Sequence, residues 1–313
     1  MPTSSDLADR YRGALLGLAV GDALGTTLEF AARDTRLPVT GMTGGGPFYL
    51  TPGQWTDDTS MAVCLAESLI ECDVFDPADQ MRRYLRWLRH GYNSSTGECF
   101  DIGRTTRDAL DRFERQGIAY AGSGSPATAG NGSLMRLAPV ALRYRPDLAE
   151  VVARAADSSR TTHAAAEAVD GCRYFAALLV AALSGDSRDQ LLGPDVCLPS
   201  FQGVASLSPA IAVVAAGSFK EKERPQISSS GYVVHTLEAA LWSFFRSRSF
   251  RDGALLAVNL AGDADTVGAV YGQLAGAFYG ARAIPAEWLA PLTRRDYIAT
   301  LADRLLEKAT SAS

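Results

Sequence analysis

Histidine is scarce in this chain of 313 residues, and its placement argues against the usual zinc sites. The three histidines, His90, His163 and His235, form neither an HxH nor an HExxH spacing. Zinc in proteins is bound mainly by histidine and cysteine, and the metalloprotease form needs two histidines on one helix face. A histidine-based zinc site is therefore not indicated.

Cysteine is also sparse, and no two cysteines are separated by only two residues. The number of cysteines, five, is odd. This pattern excludes a CxxC redox or zinc motif and does not indicate a disulfide framework. We expect the thiols to be reduced and mostly to be core residues. They are Cys64, Cys72, Cys99, Cys172 and Cys197.

The sequence has neither long apolar runs nor basic runs. No stretch reaches the roughly 18 uncharged apolar residues of a membrane-spanning helix, and the segment from Met1 to Asp6 lacks the order of a signal peptide. The net charge is -5 and the positive residues are scattered, which argues against a nucleic-acid-binding surface. We therefore expect a cytoplasmic protein that binds no membrane, and nucleic acid is not an expected partner.

What the sequence does contain is a core-forming composition with helical patterning. Hydrophobic residues make up 47% of the chain and charged residues 21%, close to the average for soluble globular proteins. Strand-type alternation is scarce, and apolar residues recur at helical spacing. Neither the GxSxG elbow of serine hydrolases nor the P-loop motif of NTPases is present. We expect an all-α fold.

Glycines recur at intervals of four near both ends of the chain. On a helix this spacing leaves one face without side chains, and each glycine costs about 1 kcal/mol of helix propensity relative to alanine. Two such helices can pack backbone to backbone, so we expect both in the core, packed against each other and bringing the chain ends together. The glycines are Gly13, Gly17, Gly21 and Gly25 in the first segment, and Gly268, Gly272, Gly276 and Gly280 in the second.

Two short acidic motifs lie far apart in the sequence, each beside an apolar helical segment. The first is Thr56-Asp57-Asp58-Thr59, before the segment Met61 to Ile70, and the second is Gly262-Asp263-Ala264-Asp265-Thr266. If they meet, each pair of carboxylates at about 4 Å repels by roughly 4 kcal/mol at an effective dielectric constant near 20, so cations are needed. Hard cations such as Mg²⁺ and Mn²⁺ prefer oxygen ligands. This favours a two-metal hydrolytic site within one compact domain over residues 5–308.

Each acidic motif on its own has a simpler interpretation. An Asp-Asp pair at a helix start is usually a cap. A terpene cyclase, another helical two-metal enzyme, would carry DDxxD, but Met61 occupies the last position here. The case for a metal site therefore depends on the two motifs together.

Several helices and one loop are expected between these motifs. Patterns of helix type cover Pro77 to His90, Thr105 to Arg115, two segments on either side of His163, and Tyr232 to Phe245. Gly117 to Gly132 is rich in small residues and suits phosphate oxygens if a helix from Leu134 to Leu142 follows it directly. In the first of these helices we expect Met81, Tyr84, Leu85 and Leu88 inside and Arg82, Arg83, Arg86 and Arg89 in solvent.

Taken together, five motifs resemble the signature blocks of the ADP-ribosylglycohydrolase family. In chain order they are Gly21-Asp22-Ala23-Leu24-Gly25 with Glu29-Phe30, Trp55-Thr56-Asp57-Asp58-Thr59, Gly130-Asn131-Gly132-Ser133 with Met135-Arg136, Thr162-His163, and Gly262-Asp263-Ala264-Asp265-Thr266 with Gly268. The blocks keep the family's order and cover almost the whole chain. The resemblance implies a single compact multi-helix domain that hydrolyses the bond between ADP-ribose and a side chain.

The resemblance also implies roles for individual residues. Two divalent cations, Mg²⁺ or Mn²⁺, would be held by Thr56, Asp57, Asp58, Asp263, Asp265 and Thr266. Glu29 and Asp101 would be the catalytic carboxylates, and Gly130, Asn131, His163 and Tyr232 would bind the diphosphate and adenosine. The expected partners are an ADP-ribosylated protein, with arginine the favoured acceptor, and ADP-ribose itself.

One departure from the family pattern and one alternative activity remain. Relatives commonly have Asn or Asp at the position of Arg104, so Arg104 would pair with Asp101 or meet a phosphate if it faces the cleft. The alternative is an ADP-ribose-binding protein that no longer catalyses, or a hydrolase of serine, nucleic-acid or small-metabolite linkages. All six expected ligand residues are present, which disfavours a protein that has lost activity.

Overall fold

The computed structural model describes residues 3–193 and 207–311, which form α-helices, 3-10 turns and loops. In chain order the helices are α1 (Ser4–Gly25), α2 (Asp57–Glu71), α3 (Pro77–His90), α4 (Arg104–Gln116), α5 (Ala138–Tyr144), α6 (Leu148–Thr162), α7 (Ala166–Ser184), α8 (Arg188–Leu191), α9 (Pro209–Ala215), α10 (Val233–Arg246), α11 (Phe250–Val258), α12 (Ala264–Tyr279), α13 (Ala286–Leu289) and α14 (Arg295–Ser311). Within these ranges the structure has isolated bridges but no strand. The expected all-α fold is confirmed.

The centre of the fold is the antiparallel pair α1 and α12, as the glycine spacing predicted. The backbones touch where glycines face each other: Gly13 lies against Gly276, Gly17 against Gly272 and Gly21 against Gly268. A Cβ atom added to Gly272 would lie 1.9 Å from the carbonyl oxygen of Gly17. Only glycine permits this approach, so the cost in helix propensity is offset by backbone packing.

This pairing places the end of α1 beside the start of α12. Gly25, in the last turn of α1, lies directly against Asp265 in the first turn of α12, since an added Cβ would lie 2.3 Å from the Asp265 Cα. Glu29, a few residues after α1, therefore reaches the loop before α12, where its backbone pairs with Gly262. The sequence brings the first and last motifs together through this one helix pair.

The remaining helices surround the pair and bury one continuous apolar cluster. Helix α14 packs on α1, α2 and α5, while α7, α10 and α11 cover α12. Tyr11 of α1 is fully buried and its hydroxyl donates to the Leu142 carbonyl of α5 at 2.9 Å. The two acidic motifs thus lie on a rigid scaffold that most of the chain helps to form.

Helix α3 differs in one respect from its predicted orientation. Arg83, expected in solvent, is buried, and its guanidinium forms ion pairs with Asp79 of the same helix and with Glu67 and Glu71 of α2. The apolar pattern of one helix carries no information about acids on a neighbouring helix, which is why the prediction was wrong. Trp87, which was not among the expected core residues, is fully buried.

The helix expected at Leu134 begins later, at Ala138. Residues 131–136 form tight turns instead, closed by the N–H groups of Leu134 and Met135, which donate to the Asn131 carbonyl at 2.8 and 3.1 Å. The glycine-rich loop is therefore followed by turns and not by a helix N-terminus.

The thiols are largely as expected where the structure describes them. Cys64 and Cys172 are buried, Cys72 and Cys99 are partly buried, and these four are not cross-linked. Cys197 lies outside the described residues. Among the helices described, none combines the length and apolarity needed to span a bilayer.

Candidate metal centre and substrate cleft

The two acidic motifs occupy the first turns of two helices whose N-terminal ends converge. Asp57 and Asp58 are the first two residues of α2, while Asp263 immediately precedes α12 and Asp265 lies in its first turn. Carboxylates are stabilised at helix N-termini by the helix dipole, which explains why acids are tolerated there despite burial.

Direct hydrogen bonds join the two motifs. The Thr56 hydroxyl lies 3.1 Å from Oδ2 of Asp265 and 3.4 Å from Oδ2 of Asp58. The Thr266 hydroxyl donates to the same Asp58 oxygen at 3.4 Å. Residues more than two hundred positions apart thus share one small buried volume, as the sequence predicted.

Glu29 is held in this cluster by the start of α12. Its Oε2 accepts hydrogen bonds from the N–H groups of Ala264 and Asp265 at 2.8 and 3.3 Å. Carboxylate oxygens of Glu29, Asp263 and Asp265 all lie within 4.8 Å of one another. The next residue, Phe30, has φ +57° and is 67% exposed, so the chain turns sharply to send Glu29 inward and the ring outward.

The protonation of these acids reflects burial and mutual repulsion. Burial, followed by the charge of Asp265, raises the pKa of Asp57 and Asp58 well above 3.8. The same two causes raise the pKa of Glu29 strongly and that of Asp263 to about 7. Without a counter-charge, acids of the cluster therefore keep their protons at pH values where isolated carboxylates are already ionised.

The donor set fits hard divalent cations. The group offers several carboxylate oxygens and two threonine hydroxyls, the ligand types that Mg²⁺ and Mn²⁺ prefer. Among the described side chains, Oδ1 of Asp58 is buried and has no hydrogen-bond partner. A buried carboxylate oxygen without a partner is costly, and a cation would satisfy it while removing the repulsion between the acids.

Asp22 is a buried carboxylate beside the candidate site to which the sequence analysis assigned no role. This fully buried carboxylate accepts two hydrogen bonds from Thr56, through its N–H at 2.9 Å and its hydroxyl at 3.0 Å. It accepts two more from Thr59, at 3.0 and 2.6 Å. Asp22 therefore fixes the start of α2 from behind, while Glu29 does the same for α12. The signal in the sequence that could have indicated this role was an acidic residue within the otherwise apolar, glycine-rich helix α1.

The cluster lies in a cleft of about 910 Å³. Asp57, Asp263 and Asp265 line it together with Glu29 and Asp101. Burial raises the pKa of Asp101 to about 11, with the charges of Asp265 and Asp57 the next causes. The two carboxylates expected to be catalytic thus face the same cavity as the candidate ligands.

Arg104 lies at the rim of this cleft and points into solvent. Its side chain is 94% exposed and forms an ion pair with Asp108, one turn further along α4, at 3.7 Å. The structure gives it no pairing with Asp101. The space beside the two carboxylates expected to be catalytic therefore remains open on this side.

The glycine-rich loop forms the opposite wall. Gly130 pairs with Tyr232 through a backbone bridge, and the Asn131 amide donates to Oδ2 of Asp263 at 2.6 Å. His163 lines the cleft beneath Gly130, whereas the Tyr232 ring stacks edge-on against His235 and is outside the lining. Three of the four expected binding residues thus surround the cavity, and Tyr232 contributes through its backbone.

The chain matches known proteins over its whole length. A family model described as ADP-ribosylglycohydrolase matches residues 3–313. The ADP-ribosylarginine hydrolase Tri1 of Pseudomonas putida (strain GB-1) is 49% identical over 98% of this chain and 80% of that protein. The ADP-ribosyl-[dinitrogen reductase] glycohydrolase of Rhodospirillum rubrum is 33% identical over 93% of this chain and 92% of that protein.

A solved structure agrees with these matches. A chain from a structure titled "ADP-ribosylglycohydrolase-related protein complex" superimposes with a TM-score of 0.85 at 48% identity, covering 97% of this chain and 99% of that chain. Sequence blocks, fold and relatives agree over nearly every residue. The chain therefore belongs to the ADP-ribosylglycohydrolase family.

Proposed function

We propose that this protein is a metal-dependent hydrolase that releases ADP-ribose from ADP-ribosylated arginine side chains by cleaving the glycosidic bond at C1''. The observation that supports this most directly is the meeting of two distant acidic motifs at the floor of a large cleft. The name of the Pseudomonas putida relative favours arginine as the acceptor.

Two divalent cations, Mg²⁺ or Mn²⁺, are the proposed cofactors. The residues that would hold them are Thr56, Asp57, Asp58, Asp263, Asp265 and Thr266, and Glu29 is close enough to Asp263 and Asp265 to contribute an oxygen as well. When bound, the cations supply Lewis-acid polarisation and orientation of substrate oxygens. The chain's own contribution is to fix these carboxylates at two helix starts.

Glu29 and Asp101 are the proposed proton carriers. Water adds its oxygen to C1'' as the bond from C1'' to the guanidine nitrogen breaks. A carboxylate accepts one proton from the water and passes a proton to the leaving nitrogen, so that it ends as it began. Burial and neighbouring acids raise the pKa of both groups, which makes either one able to hold the proton between these transfers.

The rest of the cleft orients the substrate. Gly130 and Asn131 are proposed to bind the diphosphate, with His163 beneath them and Tyr232 supporting the loop. The expected partners are an ADP-ribosylated protein and the product ADP-ribose, and the proposed compartment is the cytoplasm. Positioning of this kind converts a reaction with free water into one between fixed groups.

A release assay tests the proposal. The protein, stripped of metal with a chelator, is supplied with Mg²⁺ or Mn²⁺ and with peptides carrying ADP-ribose on arginine or on serine. We expect metal-dependent release from arginine. Asp263→Asn should lower it at least about 100-fold, because losing several kcal/mol of transition-state stabilisation corresponds to at least two powers of ten.

Asp296→Asn is the matched control, since that acid is 87% exposed and pairs only with Arg295 among the ion pairs of the described chain. It should match the wild type. Undiminished release by Asp263→Asn would refute the metal role. ADP-ribose binding without release from either peptide would instead indicate a protein that binds ADP-ribose and does not catalyse. Release from the serine peptide alone would identify serine, not arginine, as the acceptor.

A further inference from the structure

A buried arginine stands behind the glycine-rich loop. Arg136 is fully buried, and its Nη2 donates to the hydroxyls of Thr162 and Thr161 at 2.8 and 3.2 Å. Its Nη1 donates to the Gly132 carbonyl at 2.7 Å, and its guanidinium lies 4.8 Å from the centre of the Tyr84 ring. This cation cannot lose its proton in a protein, so it is a permanent donor to both threonines.

The Thr162 hydroxyl connects this arginine to His163. Its oxygen lies 2.9 Å from the His163 Nδ1. Since the oxygen already accepts from Arg136, its single hydrogen is free to point toward Nδ1, which then must be the unprotonated nitrogen. The opposite tautomer would leave that buried hydroxyl hydrogen with no acceptor among the contacts of the described residues, a costly arrangement.

The other ring nitrogen lies against the cleft wall. A Cβ atom added to Gly130 would lie 3.3 Å from the His163 Nε2, and one added to Gly132 would lie 2.8 Å from its Cε1. All three residues line the cleft. Burial and the nearby charge of Arg136 lower the pKa of His163 to about 3, so the ring is neutral and carries one proton.

We propose that Thr162, with its hydroxyl oriented by Arg136, is a positioning residue that fixes His163 in the tautomer protonated at Nε2, so that the ring donates a hydrogen bond into the cleft. The acceptor of this bond is an oxygen of bound ADP-ribose. The identity of this ligand rests on the proposed function, whereas the tautomer does not. Glycine at 130 and 132 keeps the path from the ring to the ligand open.

The nitrogen NMR spectrum of the histidine rings tests the tautomer directly. The full-length protein is labelled with ¹⁵N, and the three histidines are assigned with His163→Gln. We expect His163 to show a protonated Nε2 and an unprotonated Nδ1. In Thr162→Val, which keeps the side-chain shape and removes the hydroxyl, we expect a large fraction of the Nδ1-protonated form.

Thr161→Val is the matched control. It removes the neighbouring hydroxyl that also accepts from Arg136 but does not touch the contact between Thr162 and His163. It should lose thermal stability to a similar extent and keep the wild-type His163 signals. If both variants show the same signals, or if the wild-type ring is protonated at Nδ1, the proposal is wrong.

Binding of ADP-ribose gives the second readout. Calorimetric titration should show about a tenfold weaker affinity for Thr162→Val than for Thr161→Val, the loss expected for one hydrogen bond to a polar or charged acceptor. Equal affinities would overturn the role of the Nε2 donor. Because neither the spectrum nor the titration requires turnover, a failure of the hydrolase proposal is distinguishable from a failure of this one.

Discussion

Asp22 is a buried carboxylate that holds the start of α2 without belonging to the expected metal ligands. All four of its hydrogen bonds come from Thr56 and Thr59, on either side of Asp57 and Asp58. Burial and the charge of Asp265 raise its pKa to about 7 despite these donors. Its contribution is therefore to orient the first turn of α2.

The variant Asp22→Asn tests this role. An amide can accept through only one of its two ends, so the two donors at the other end, either those of Thr56 or those of Thr59, lose their partner. We expect the affinity for Mn²⁺, measured by titration calorimetry, to fall about 10- to 100-fold, as for other groups that orient metal ligands.

The control for this variant is Asp76→Asn. Asp76 also caps a helix start, accepting from Ala78 and Asp79 at 2.9 Å, but it belongs to α3. Its replacement should lower stability slightly and leave the metal affinity unchanged. A wild-type affinity in Asp22→Asn would show that Asp22 is only a helix cap.

Single residues were the least predictable part of the site. The paired acids were identifiable because Asp57-Asp58 and Asp263-x-Asp265 repeat one chemistry at two helix starts. Asp22 was missed as a site residue because a lone acid in an apolar helix has no partner in its own segment. Arg83 was assigned to solvent for the same reason, since its acids lie on another helix.

At the scale of elements, the fold depends on how closely α1 and α12 approach. Gly17 and Gly272 contact each other through their backbones, and a Cβ atom added to Gly17 would lie 2.3 Å from the Gly272 carbonyl oxygen. Backbone atoms cannot rotate away as a side chain can. Any side chain at these positions must separate the two helices.

We expect Gly272→Ala to destabilise the protein by roughly 3 kcal/mol or more, the upper range for overpacked cores. Separation of α1 from α12 would also move Glu29 away from the Ala264 amide, so metal affinity should fall with stability. Urea unfolding measures the first effect and calorimetry with Mn²⁺ the second.

Gly171→Ala is the matched control, because Gly171 lies within α7 and an added Cβ would meet only side chains, the nearest being a Val233 methyl at 3.1 Å. There the gain of about 1 kcal/mol in helix propensity offsets a small displacement. Gly272→Ala as stable as Gly171→Ala would contradict the close approach.

Elements were more predictable than residues because their signals are repeated along the chain. The glycine spacing predicted both the helices and their pairing. The predicted start of α5 was wrong because the turns between Asn131 and Arg136 are held by contacts to other elements, such as the hydrogen bond from Arg136 to Thr162. Periodicity in one segment cannot report such contacts.

At the scale of the whole molecule, the acid cluster makes stability depend on pH and on cations. Asp22 and Asp263 have ordinary pKa values of 3.8, and both rise to about 7 in the folded protein. An acid with a raised pKa stabilises the folded state below its ordinary value and loses that contribution as the pH rises through the folded value. In chelator, the melting temperature should therefore fall from pH 5 to pH 8.

Divalent cations should reverse this trend, because they bind deprotonated carboxylates and only in the folded state. Scanning calorimetry at each pH, with chelator or with Mg²⁺ or Mn²⁺, measures both effects. Since one core connects both motifs, we expect a single transition that shifts as a unit. Asp58→Asn removes one buried acid and should melt higher than the wild type at pH 8 in chelator while losing its response to cations.

Asp296→Asn, an exposed acid, should follow the wild type in every condition. A melting temperature in chelator that rises between pH 5 and pH 8 would contradict the expected direction of the pH effect. Two separate transitions would show that residues 5–308 contain units that unfold independently, contrary to the single-domain prediction.

The pairing of the first long helix with one near the other end also constrains how the protein is made. On the ribosome, α1 emerges first and has no partner for its bare glycine face until α12 is synthesised. A nascent chain lacks Asp263 and Asp265 for most of its synthesis, so it cannot capture a cation early. Truncated chains that end before α12 would therefore leave the glycine face of α1 uncovered and exposed to proteolysis.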